Sequence, residues 1–123
     1  MMNTLDLFED DTECTEFKAG DTIFKEGEPG DSMYVVLEGA VDVMVGDEKF
    51  IVAGPGEILG EMALIDSSAR SATAVARNDC KLVPINEKRF SALVQQTPFF
   101  AIHVMKILAE RLRRMNRILA SII

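Results

Sequence analysis

The chain has no tryptophan, one histidine, one tyrosine and two cysteines in 123 residues. A single histidine leaves acid–base chemistry to carboxylates, and no Ser-His-Asp frame, nucleophile elbow, metal-ligand cluster or Walker loop is present. No enzyme is expected, and no metal or other cofactor. Cys14 and Cys80 lack the paired Cys or His neighbours of a zinc site, so both read as free thiols of a reducing compartment. Positive charge is also scarce: 13 Lys and Arg stand against 20 Asp and Glu, a formal net charge of −7. That balance argues against non-specific binding to nucleic acid or to an anionic membrane surface. It also sets a condition, because any anionic ligand needs a strong local positive potential. No apolar run is long enough to span a bilayer. Asp6, Glu9 and Asp10 break the N-terminal stretch where a signal peptide would need one. A cytoplasmic protein is expected.

With 48% hydrophobic and 27% charged residues, the chain suits one compact domain spanning residues 1–123. The first dozen residues are acidic, with at most a short helix around Leu5–Phe8. From Thr15 to about Pro84, glycines at 20, 27, 30, 39, 46, 54, 56 and 60 punctuate short β-type runs. The runs are Thr22–Phe24, Met33–Leu37, Ala40–Val45, Lys49–Val52, Ala72–Ala76 and Lys81–Ile85. Such spacing predicts an all-β roll, barrel or sandwich over about 15–85. Glu28-Pro29-Gly30-Asp31 and Gly54-Pro55-Gly56 are turns, and Gly46-Asp47 suits a hairpin. Tyr34 is expected to pack in the roll, the methionines to fill the core, and His103 to pack or face solvent.

Helices follow. Asn86 caps one over about 87–96, with Glu87 in its first turn. Thr97 and Pro98 open another that runs to Ile123 without Gly or Pro, roughly 40 Å long at the helical rise. Ala101, Met105, Leu108, Leu112, Met115, Leu119 and Ile122 follow a 4-3-4-3-4-3 spacing, an a/d seam. Its second half has little domain left to cover it, so a homodimer through this helix is expected. The alternative is a helix that folds back to complete a monomer's core. Arg111, Arg113, Arg114 and Arg117 make it basic; they either form a solvated face or include one bridge to a ligand or to the acidic roll.

The informative stretch runs from Gly60 to Thr73. Gly60 permits positive φ or close backbone approach. Met62–Ile65 suits one helical turn with free N–H groups. Arg70 offers a fork donor matched to phosphate. Ser71 adds a hydroxyl, and Ala72 lets the backbone come close. Glu61 is an acceptor suited to a ribose hydroxyl, so the set fits a sugar phosphate better than a bare anion.

This stretch resembles the phosphate-binding cassette of cyclic nucleotide-binding domains, as found in protein kinase A regulatory subunits, cyclic nucleotide-gated channels and the catabolite activator protein. Gly20-Asp21, Gly27, Gly30-Asp31, Tyr34, Gly39 and Gly54-Pro55-Gly56 follow the same family's roll pattern, so the likeness extends from about Phe17 to Leu112. The resemblance implies a double-stranded, jelly-roll-like and cupin-like β-roll followed by C-terminal α-helices. It implies that Glu61 binds the ribose 2′-hydroxyl and Arg70 the cyclic phosphate. Ser71 and Ala72 would contact the phosphate, helped by the backbone of Gly60, Met62 and Ala63. Thr73 would lie near the base. Leu59 stands where the family often has Phe, and Ala69 where the kinase subunits often have Pro. The last helix lacks an aromatic lid, and Met115 and Asn116 occupy the places of a base-touching Thr-Ser pair. Asn116 is a candidate for a base edge, while the choice between cAMP and cGMP stays open.

The function implied is a sensor module that binds a cyclic nucleotide and signals through its last helices. No output domain follows, so the chain acts on a protein partner in trans or is a segment of a longer protein. The rival reading is a non-binding β-roll that serves for dimerisation or docking. A cupin-type enzyme is disfavoured by the single histidine.

Overall fold

The computed structural model describes residues 14–122. The short helix read around Leu5–Phe8 lies outside the described residues. Eight strands form two antiparallel four-stranded sheets. One sheet has the order β1 (Thr15–Phe17), β8 (Cys80–Asn86), β3 (Ser32–Glu38), β6 (Ile58–Leu59). The other has the order β2 (Thr22–Phe24), β7 (Thr73–Ala76), β4 (Val41–Val45), β5 (Glu48–Ala53). A short helix α1 (Glu61–Asp66) interrupts the roll, and α2 (Glu87–Gln96) and α3 (Pro98–Ile122) follow it.

The first sheet is the middle layer. Along β3, Met33 and Val35 face the helices, and Tyr34 and Val36 face the second sheet. On β8, Val83 and Ile85 take the helix side and Cys80 and Leu82 the roll interior. These strands are therefore apolar on both faces, as burial from both sides demands. Val35 lies opposite Val83 and Val36 opposite Leu82 in the antiparallel register. The second sheet has one buried face only, and Val45, Phe50 and Val52 stand exposed on it.

Two cores result. Phe24, Val41, Leu59, Ala74 and Leu82 fill the space between the sheets. Met33, Ile58, Val83, Ile85, Phe100 and Val104 join the middle sheet to α3. Asn86 caps α2, its side chain accepting from the Arg89 N–H at 2.9 Å. Phe90 of α2 meets Phe100 of α3 edge to face, with centroids 5.7 Å apart. Tyr34 packs in the roll, stacked at 6.2 Å from Phe24. Cys14 and Cys80 are free. No helix among the described residues is long and apolar enough to cross a membrane.

Candidate functional site

β6 ends at Leu59, and the chain turns into α1 through Gly60, whose φ of 72° lies in the left-handed region that favours glycine. This turn drives Glu61 inward, to 8% exposure. After α1, Ser67 also takes the left-handed conformation, at φ 59°. There the Ser68 hydroxyl and its backbone N–H both donate to Asp66 Oδ1. The Ser68 hydroxyl, then its N–H, hold the Asp66 carboxyl below the usual carboxylate range.

The chain then returns as Arg70. Its backbone N–H donates to the Glu28 carbonyl and its carbonyl accepts from the Gly27 N–H, each at 2.8 Å. The cassette is thereby tied to the loop between β2 and β3. Arg70 as a whole is 7% exposed. Its guanidinium lies 4.3 Å from the centroid of the Phe24 ring. Its Nη1 donates to the Gly60 carbonyl at 3.1 Å. Among the described residues no carboxylate pairs with it.

A cavity of about 80 Å³ opens beside these groups. Gly60, Glu61, Met62, Ala63, Arg70, Ser71 and Ala72 line one side. Phe24, Val43, Ile51 and Leu59 form an apolar wall, and Arg111 completes the lining. The Ser71 hydroxyl lies 3.6 Å from the Met62 sulfur. Thr73 is not part of the lining; its hydroxyl accepts from the Glu26 N–H at 3.0 Å and steadies the neighbouring loop. Asn116 is exposed on α3 and also lies outside the lining.

The sequence expectation spread a possible bridge over four arginines of the last helix, and the structure singles out Arg111. Its Nη1 donates to Glu61 Oε1 at 3.1 Å, and its Nη2 to the Ile58 carbonyl. The signal was helical spacing: Phe100, Val104 and Ile107 pack on the roll, and Arg111 continues that face. Arg113 and Arg117 instead pair with Glu110 on the solvent side. The guanidinium of Arg113, then that of Arg117, lowers the Glu110 carboxyl from its ordinary value. No group of three or more His, Cys, Asp or Glu among the described residues can hold a metal ion.

The chain is 30% identical over 113 residues to a CRP-like cAMP-activated global transcriptional regulator of Mycobacterium tuberculosis, covering 88% of this chain and 50% of that protein. It is 36% identical over 102 residues to a cyclic AMP receptor protein of Thermus thermophilus, covering 79% and 47%. The chain thus spans about half the length of these curated relatives. The crystal structure of the Thermus thermophilus catabolite activator protein superposes with a TM-score of 0.82 at 31% identity, over 97% of this chain and 58% of that one. The profile of the cyclic nucleotide-binding domain matches residues 14–97. The two-sheet roll, the trailing helices and this match agree, and the chain belongs to the cyclic nucleotide-binding domain family.

Proposed function

We propose that the chain is a non-catalytic regulatory module that binds a cyclic nucleotide monophosphate, cAMP or cGMP, in this cavity and signals through α3. The observation that carries the reading is Arg70, 7% exposed beside a cavity with no carboxylate partner among the described residues. A buried cation without a counter-ion is costly, and the fork geometry of arginine matches the oxygens of a phosphate. The overall charge of −7 repels anions, so the local cation has to provide the attraction.

Glu61 supplies the second contact. Arg111 occupies its Oε1, which leaves Oε2 to accept from a ribose 2′-hydroxyl. Ser71 and the backbone of Gly60, Met62, Ala63 and Ala72 stand on the phosphate side. Val43 and Ile51 form the surface for the base, and contact with Asn116 requires α3 to move toward the cavity. The names of the relatives support cAMP as the first nucleotide to offer.

At about 80 Å³ the cavity is smaller than a small-molecule site of roughly 300 Å³ or more. Binding therefore requires opening, and Arg111 is the lining residue carried on α3. A ligand that favours the open arrangement shifts α3 with it. The small cavity also favours the second reading, a roll that only dimerises or docks on a partner.

Isothermal titration with cAMP and cGMP separates the two. Saturable binding of at least one nucleotide is expected, weakened about 10- to 100-fold in Arg70→Ala. Absence of binding by either nucleotide at millimolar concentration leaves the docking module as the function.

A further inference from the structure

Three protein contacts hold the Arg70 guanidinium before any ligand arrives. The Phe24 ring lies under it at 4.3 Å, and the Gly60 carbonyl accepts from Nη1 at 3.1 Å. The third contact is the backbone of Gly30. A Cβ built on Gly30 would overlap Arg70 Nε, Cζ and Nη2. Gly30 belongs to the loop that the Arg70 backbone grips through Glu28 and Gly27, each bond 2.8 Å. The loop and the Arg70 main chain are therefore held in fixed relation, with Gly30 against the guanidinium.

The requirement at Gly30 is one of space. Gly20, Gly27, Gly39, Gly46, Gly56 and Gly60 have positive φ, and Gly30 does not. Gly30 is not held in the left-handed region, so the absent side chain is what the site uses. Gly60 also crowds Arg70, but its φ of 72° would strain any replacement. Gly30 is the position where space and backbone strain separate.

We propose that Gly30 is a positioning residue for the ligand: its bare Cα is one wall of a socket, floored by Phe24, that aims the Arg70 guanidinium at the cavity. The proposal rests on the reading of Arg70 as the phosphate ligand. In Gly30→Ala the colliding atoms belong to the end of a flexible side chain. The guanidinium gives way and the roll stays folded. A guanidinium fixed in advance loses little freedom when a phosphate arrives, whereas a displaced one has to be ordered at the cost of affinity.

Two measurements test the socket. In the free protein, the Arg70 Nε–H resonance, assigned by its loss in Arg70→Ala, is expected to be shifted by the Phe24 ring and to move in Gly30→Ala and in Phe24→Leu. Titration with cAMP is expected to show Gly30→Ala about tenfold weaker than the wild type, and no further loss when Gly30→Ala is added to Arg70→Ala. A wild type that binds, an Arg70→Ala that is weakened and a Gly30→Ala that matches the wild type overturn the socket alone. An equal loss from Gly30→Ala in both backgrounds overturns it too, because the effect then bypasses Arg70. So does an Arg70 resonance that Gly30→Ala leaves in place. A wild type that binds no cAMP or cGMP overturns the phosphate reading and the proposal together.

Discussion

Glu61 and Arg111 are 50 positions apart in sequence and 3.1 Å apart in space. Glu61 is buried, so its carboxylate depends on protein donors in place of water. Removing Arg111 leaves that carboxylate without its cation and frees the Ile58 carbonyl as well. The expected cost of Arg111→Ala is about 2 kcal/mol, read by urea unfolding at neutral pH. Adding Glu61→Gln should recover part of it, because the orphaned charge is then gone. The same pair ties the cassette to α3. In the wild type, saturating cAMP should change amide exchange across residues 98–122, and in Arg111→Ala that change should shrink. Unaltered stability together with an unaltered exchange response would show that the pair does not couple the two elements. That Glu61 and Arg70 line one cavity was legible in the sequence, because both lie in one local stretch. Arg111 was one of four candidates there, since its partner lies on a distant strand-to-helix turn and local pattern says nothing of it.

At the scale of elements, legibility followed length and burial. Strands β3 and β8 announced themselves through apolar runs, because both of their faces are covered. β1 and β6 did not, having three and two residues. β2, equally short, was legible because Gly20 and Gly27 bracket Thr22–Phe24, whereas the strand character of β1 and β6 comes from their partners: Thr15 opposite Leu82, and Tyr34 opposite Leu59. Helix starts were readable because caps are local. The Asn86 side chain satisfies the Arg89 N–H at 2.9 Å, one of the donors that a helix N-terminus leaves free. Asn86→Ala should therefore destabilise the protein by about 1 kcal/mol in a denaturant titration. Its effect should stay in α2, since α3 has its own start at Thr97 and Pro98, where the Phe100 N–H donates to the Thr97 carbonyl at 2.8 Å. Thr73 and Asn116, singled out by likeness, do not line the cavity in this arrangement. The Thr73 hydroxyl is engaged by the Glu26 N–H of the loop between β2 and β3, and Asn116 stands exposed on α3.

At the scale of the whole molecule, the roll covers only part of α3. Phe100 and Val104 are buried against it, and Arg111 is the last residue of that face to line the cavity. On another side of the helix, Met105, Leu112 and Leu119 are 58%, 63% and 50% exposed. They recur every seven residues and so form one stripe along the helix. The helix runs on to Ile122 without folding back, which leaves the stripe to an external surface. A second copy supplies an identical stripe, and a two-fold axis repeats every contact across it. Full burial of such a side chain contributes about 1.5–3 kcal/mol, against an association cost of about 4–15 kcal/mol. The two terms are of comparable size, so a dimer held by this seam should dissociate on dilution. Sedimentation equilibrium should show that concentration dependence for the wild type. Leu112→Glu with Leu119→Glu places like charges across the axis and should yield monomer at every concentration tested. Both positions are exposed in the single chain, so the double variant should keep its unfolding midpoint when measured at concentrations where the wild type is also monomeric. A wild type that stays monomeric at high concentration would assign the stripe to a different protein.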